Sequence, residues 1–320
     1  MKSVICTLFE GHYHFGLAAL INSLHEQGFA GDLYAGFRGE LPPWATGAVA
    51  NPAIPWKNTS TLSVDDKILV HFIPLETDYH FTNYKPDFML ELVNGHAKGA
   101  GGIFYFDPDI VLTAPWSFME EWGRCGVALS EDIHSPLDKF HPKRIAWRQF
   151  FSKSGVTLEY KSNIYVNGGF AGVTKENYSF LYDWKKIQEL MAPAIGGLNR
   201  SIFVEMLDSA AGPLAPFAKT DQDALNATVE ACNVTVSLMG QEGMAFKVGN
   251  TIMPHAIGIP KPWNWKPLTQ IMHGFAPRVV DKEYWRLVQS PIAVYPAAKI
   301  KRVNLFLKIA AFIGRFYRRS

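Results

Sequence analysis

Short apolar runs alternate with stretches of helical periodicity through most of this chain, and that alternation constrains the fold more than any other feature. It calls for an α/β architecture with a mostly parallel central sheet. Ser3 to Leu8 reads as a first strand, and Phe15 to Gln27 as a helix with Leu17, Leu20, Ile21 and Leu24 on one face. Asp32 to Phe37 and Ile68 to Ile73 read as strands, and Phe88 to His96 as a helix beginning just after Pro86, where proline is tolerated. Gly102 to Phe106 is a buried-strand pattern that stops abruptly at Asp107-Pro108-Asp109. Val127 to Ser130 and Ile164 to Val173 read as later strands, Asn177 to Leu190 as helix, and the Gly- and Ala-rich stretch Ala192 to Gly212 as loop and short helix. Another helix is expected near Asp221, with Thr220 as its N-cap.

Composition narrows the class. Of 320 residues, 48% are hydrophobic and 19% charged, which suits a globular enzyme with a full core. Cys6, Cys125 and Cys232 are too far apart for a disulfide framework or a C-x-x-C metal site, so a reducing cytoplasm is expected. The start, MKSVICTLF, meets Glu10 and His12 with no small-residue cleavage site, and so reads as a strand rather than a signal peptide. No stretch reaches the roughly 20 apolar residues of a membrane span. Net charge is +2, but seven basic residues and no acid lie between Lys299 and Ser320, leaving 24 basic against 29 acidic residues elsewhere. A mildly acidic body with a basic tail excludes a whole-protein nucleic-acid surface.

Two clusters carry chemistry. Ligands of open α/β sheets bind beyond the carboxyl ends of strands, so Asp107 and Asp109 fall at a ligand edge. Two oxygen donors at that spacing can hold Mg²⁺ or Mn²⁺. The same acidic pair can also be a turn former, so by itself it leaves both readings open. The second cluster is His255-Ala256-Ile257-Gly258-Ile259-Pro260-Lys261-Pro262-Trp263. Imidazole can complete a mixed oxygen and nitrogen site, lysine supplies a compact charge for phosphate, and glycine lets backbone approach a ligand.

With these motifs the sequence resembles glycosyltransferase family 8, the group containing glycogenin and bacterial lipooligosaccharide galactosyltransferases. The H-x-x-G-x-x-K-P-W pattern is complete, and the D-x-D, Tyr165-Val166-Asn167-Gly168-Gly169, Asp221-Gln222-Asp223-Ala224-Leu225-Asn226 and an early helix with Asn22-Ser23-Leu24 occur in family order. The resemblance spans about residues 1 to 265. It implies a GT-A fold (a Rossmann-like nucleotide-diphospho-sugar transferase), a nucleotide-sugar donor, usually a UDP-hexose, and transfer to a glycan acceptor with retention. It implies Mn²⁺ at Asp107, Asp109 and His255, the diphosphate at Lys261 and Gly258, the sugar beside Asn167, Asp221 and Gln222, and the base beside Thr7. Lys85 stands where the family places phosphate-binding cations, although no arginine accompanies it. The far-face group in a retaining route is Gln222 or Asp223, with front-side attack by the acceptor as the other route.

The expected organisation is a catalytic domain over residues 1–265 and a helical extension over 266–320. In the tail, from about 297 to 320, Lys301, Lys308, Arg315 and Arg319 share one helical face, and Val303, Leu305, Phe306, Ile309, Ile313, Phe316 and Tyr317 fill much of the rest. This is the pattern of a helix lying on an anionic membrane surface. It would hold the enzyme at the inner face of the cell membrane beside a glycolipid acceptor, as in lipopolysaccharide or capsule assembly. A C-terminal helix docked on the domain is the plainer reading. Asp107-Pro108-Asp109-Ile110-Val111 also fits the nucleophile motif of haloacid-dehalogenase-like phosphatases, but that motif normally opens its domain. A glycan-binding protein without turnover is a further alternative.

Overall fold

The computed structural model describes residues 2–202 and 214–317. Its strands and α-helices run β1 (Ser3–Glu10), α1 (His14–Glu26), β2 (Gly31–Arg38), β3 (Val49–Ala50), β4 (Ser60–Val64), β5 (Ile68–Pro74), α2 (Lys85–Asn94), β6 (Gly102–Phe106) and α3 (Trp116–Arg124). They continue β7 (Val127–Ser130), α4 (Pro142–Ser152), β8 (Phe170–Thr174), α5 (Ser179–Ile195), α6 (Thr220–Ala231), β9 (Val236–Met239), α7 (Pro267–Met272), α8 (Val279–Leu287) and α9 (Ala297–Ile313). The α/β expectation holds. The part of the Ala192 to Gly212 loop beyond residue 202, and Arg318 and Arg319 of the tail, lie outside the described residues.

The chain forms two compact units. The first comprises Met1–Leu8, Leu75–Phe106 and Met119–Gln241. Its strands lie in the order β1-β6-β8-β7-β9, with β1 parallel to β6 and β7 parallel to β9, while β8 runs antiparallel to both its neighbours. Trp147, Phe151, Tyr165 and Met191 sit in one buried cluster of this unit.

Strand β8 is shorter than its apolar run, because the preceding segment keeps only an isolated antiparallel bridge, Val166 with Glu131, and gives several of its other backbone bonds to side chains. Asn226 accepts from the Val166 amide at 2.8 Å and donates to the Val166 carbonyl at 2.9 Å. The Gly168 and Gly169 amides donate to Gln222 and Asn167. Local side-chain bonds of this kind compete with sheet formation. Helix α6 begins at Thr220 with Lys219 as the flanking residue. The Thr220 hydroxyl donates to Asn83 at 2.6 Å, and the helix end is closed instead by Asp223, which accepts from the Lys219 amide at 3.1 Å.

The second unit comprises Phe9–Pro74, Asp107–Phe118 and Glu242–Ser320. Its strands run β3-β4-β5-β2, parallel between β2 and β5 and antiparallel through β4 and β3. Trp263, Trp265, Val280, Tyr284, Trp285, Ile300 and Leu307 share a buried cluster with Ala19, Val111 and Ala256. Residues on both sides of position 265 therefore contribute to one core. The tail helix α9 docks through Ile300, Leu307 and Ala310 and leaves its opposite side in solvent. Among the described residues no helix is long and apolar enough to cross a membrane, and all three cysteines are free.

Candidate active site

In the second unit a short run of pairing brings together residues nearly 150 positions apart. Ile110 bridges His255, the Ala256 amide donates to the Asp109 carbonyl at 3.0 Å, and the Val111 amide donates to the Pro254 carbonyl at 3.1 Å. Asp107, Asp109 and His255 thereby present ligand atoms that all lie within 4.8 Å of one another. His255 Nε2 is 3.3 Å from Asp109 Oδ1 and 3.8 Å from Asp107 Oδ2. Two carboxylates and an imidazole, two of the three buried, form a donor set that could hold a divalent cation of the Mn²⁺ or Mg²⁺ kind.

Lys261 closes the group on its other side. Its ammonium donates to Asp109 Oδ2 at 2.5 Å and to the Ala256 carbonyl at 2.7 Å, which leaves one of three donors for Tyr13 or a ligand. Burial opposes ionisation of Asp109, but His255 and Lys261 together outweigh it and hold the carboxyl well below the usual range. Burial would likewise lower Lys261, and Asp109 reverses this, so the lysine is held above its ordinary value. The pair stays ionised at any physiological pH.

The loop is fixed from several directions. Gly258 has φ +71° and nothing near its missing Cβ, so glycine serves backbone conformation here rather than close approach. Arg278 donates to the Ile257 carbonyl at 2.9 Å and the Pro260 carbonyl at 3.2 Å while gripping the buried Asp281. Trp285 Nε1 donates to the Pro262 carbonyl at 3.0 Å. Ser23 accepts from the Leu112 amide at 2.9 Å, and Asn22 clamps the Leu287 and Ile292 carbonyls. Thus Asn22 and Ser23 hold the frame of this centre.

The remaining sequence candidates lie in the first unit, most of them in one network. Lys85, fully buried, donates to the Gly168 carbonyl at 2.7 Å and to Asp221 Oδ2 at 3.1 Å. A Cβ on Gly168 would stand 2.9 Å from that same carboxylate oxygen, so glycine is required by the approach of Asp221. Asn167 donates to Asp132 at 2.6 Å. Gln222 and Asp223 are neighbours with opposite surroundings. Asp223 is wholly buried and accepts from Lys143, the Tyr165 hydroxyl and the Lys219 amide. Gln222 accepts from the Gly168 amide at 3.2 Å, and its side-chain amide also bonds the Tyr165 hydroxyl. Thr7, buried on β1, also has a hydroxyl without a partner.

No protein-family profile and no curated protein matches the sequence. Solved structures do match. The bifunctional glycosyltransferase WbbM, in its apo form, superposes at a TM-score of 0.51 over 95% of this chain, with 11% identity. The match covers 52% of WbbM, so this chain spans about half its length. The galactosyltransferase LgtC, solved with donor and acceptor sugar analogues, superposes at 0.50 over 92% of this chain and 98% of its own, with 12% identity. The chain has the GT-A glycosyltransferase fold.

Sequence reasoning missed several residues around these groups of side chains in each unit. Arg278 and Asp281 stand three apart, the spacing of a helical ion pair, and that was the only available signal. Tyr13 and Gly16 gave none. Asp132 accepts from His134 and Asn167, and the His134 ring stands 2.9 Å from the Lys219 ammonium. Of the unassigned histidines, His71 is a buried structural residue between Thr61 and Asp32, and His80 caps a short helix.

Proposed function

We propose that this chain is a metal-dependent, retaining glycosyltransferase that moves a hexose from a nucleotide-diphosphate sugar, a UDP-hexose by resemblance, to a glycan acceptor. The observation that carries the reading is the gathering of Asp107, Asp109 and His255 within 4.8 Å, with Lys261 alongside, in a chain of glycosyltransferase fold. Breaking the bond between sugar and diphosphate calls for stabilisation of the leaving group more than for a strong acid. A cation bound at the three ligands would supply Lewis-acid stabilisation of that diphosphate. Lys261 adds a second positive charge, and its ion pair with Asp109 keeps the ammonium aimed and protonated. Gly258 gives the loop a backbone conformation suited to phosphate contact.

On the sugar side, its place in the first turn of α6 beside the Gly168 amide supports Gln222 as the group that faces the reacting carbon, by far-face assistance or by steadying front-side attack. Asp223, with its carboxylate occupied by three residues, is given the positioning role of holding the first turn of α6. Lys85 acts through Asp221 and the Gly168 carbonyl. Asn167 and Asp221 are assigned to the sugar hydroxyls, and Thr7, with its unpartnered hydroxyl, to the base. The basic helix α9 supports association with the cytoplasmic face of an anionic membrane and a glycolipid acceptor of the lipopolysaccharide or capsule kind.

The test is nucleoside-diphosphate release from UDP-, GDP- and dTDP-sugars, and nucleoside-monophosphate release from CMP-sugars, with Mn²⁺, comparing the native chain with Asp109→Ala. Selective turnover of one donor, abolished by EDTA and in the variant, is expected. Turnover that survives both would refute the metal-centred reading, and absence of donor binding would leave a glycan-binding protein.

A further inference from the structure

A cleft of about 690 Å³ opens between α8 and α9, and its chemistry is one-sided. Lys282 and Arg286, one turn apart on α8, face Lys308 on α9 and Arg315 in the turn after it, and Leu307 and Ala311 form its floor. No acid lines it. Arg286 is neutralised by Glu26 and Glu283 at 2.6 and 2.8 Å. Lys282, Lys308 and Arg315 have no acidic partner among the described residues, so three uncompensated cations converge over apolar carbon.

Helix α9 and the turn that follows it expose an apolar stripe beside the cleft. Leu305, Ile309, Phe312 and Phe316 recur at spacings of three and four and are 55%, 40%, 60% and 80% exposed. They lie opposite Ile300, Leu307 and Ala310, which dock α9 on the unit, so the stripe cannot turn inward. Lys301, Lys308 and Arg315 run along one edge of the stripe, and Arg302 and Lys299 lie toward the other, where a second cleft is lined by Lys266, Lys299 and Arg302. An apolar stripe flanked on both sides by long cations suits a bilayer surface, where the cations reach phosphates and the apolar groups reach acyl chains.

We propose that the cleft between α8 and α9 binds the phosphate headgroup of an anionic membrane lipid while Leu305, Ile309, Phe312 and Phe316 enter the bilayer beside it. This deepens the membrane association proposed above, and it is independent of turnover. The apolar floor and the adjoining stripe give a lipid's chain a place that a free phosphate would not use.

The experiment is flotation of the full chain, without donor, on phosphatidylglycerol/phosphatidylcholine vesicles and on phosphatidylcholine alone, with glycerol phosphate as soluble competitor. Lys308→Gln with Arg315→Gln removes two cleft cations, and Lys57→Gln with Lys67→Gln removes two exposed cations elsewhere in the unit. Thermal melts check that both variants fold. The native chain should prefer anionic vesicles, and the cleft pair should weaken binding by about 30-fold, from roughly fivefold per cation. The distant pair and millimolar glycerol phosphate should leave binding nearly unchanged. Equal losses from the two pairs would overturn the cleft but leave membrane association standing. Native protein that ignores anionic vesicles would overturn both, and competition by glycerol phosphate would replace the lipid with a free anion.

Discussion

Replacing Gly16 by alanine should displace the D-x-D segment without altering any ligand. A Cβ at Gly16 of α1 would lie 2.3 Å from the Pro108 carbonyl oxygen and 2.9 and 3.0 Å from two ring atoms of Trp263. The oxygen contact falls 0.7 Å inside the 3.0 Å that real Cβ atoms essentially never breach. Trp263 is held between Tyr13 and Tyr284 and is 7% exposed, so it cannot swing aside. The strain therefore falls on the backbone between Asp107 and Asp109. Metal sites tolerate ligand displacements of about 0.2 Å, well under the shift required. Overpacking of this kind costs about 1–3 kcal/mol, while the better helix propensity of alanine returns about 1 kcal/mol in stability. The melting temperature is thus a blunt readout and the cation affinity a sharp one. Mn²⁺ titration followed by calorimetry should show a dissociation constant at least about tenfold weaker, since a loss of about 1.4 kcal/mol suffices for that. Gly99→Ala, where nothing lies within 4 Å of the added carbon, should bind Mn²⁺ as the native chain does. A Gly16→Ala protein with native Mn²⁺ affinity would refute the argument that this close packing sets the ligand geometry.

Other substitutions separate positioning from chemistry. Asp223→Asn leaves Lys143 buried beside a neutral group and should destabilise the chain by about 3–5 kcal/mol in denaturant melts, whereas Gln222→Ala removes a hydrogen bond to the Gly168 amide and should cost only about 1 kcal/mol while lowering kcat. Arg278→Ala strips the 257–260 loop of two donors and leaves Asp281 buried without its ion pair; Mn²⁺ affinity and melting temperature should fall together, by about 1–3 kcal/mol in stability. Burial alone would raise the Asp132 carboxyl, but bonds from His134 and Asn167 outweigh it and hold it below its ordinary value. Its stabilisation is therefore complete above about pH 4 and is lost as pH falls through the folded value; Asp132→Asn should flatten the acid limb of stability against pH below about pH 4.

Much of this architecture is legible in the chain itself, and the failures have identifiable causes. Strands β1, β2, β5, β6 and β7 and helices α1, α2, α5 and α6 follow apolar runs or helical periodicity, because each buries one face or two. Strand β9 was missed because all four of its residues are half-buried, which leaves no apolar run to see. Helix α4 begins at His141-Pro142, where a histidine ring nitrogen accepts from the Lys143 amide in place of the usual capping oxygen. Strand β8 was read six residues too long at its start because side chains such as Asn226 and Gln222 take amides that a continuous ladder would pair, and nothing in an apolar run announces that.

The sequence by itself determined the alternation of strands and helices, the types of group available for cation binding, and the basic, apolar character of the tail, since all three are properties of residue type and short spacing. Tertiary structure alone decided the rest. It brought His255 and Lys261 to Asp109, buried Lys85 behind Gly168 and Asp221, and gave Gln222 the Gly168 amide and neighbouring Asp223 a saturated carboxylate. It also docked one face of α9 and left the opposite stripe in solvent. Hydrogen-bond partners and burial are set by residues far away in the chain, and local spacing carries no information about which distant group will arrive.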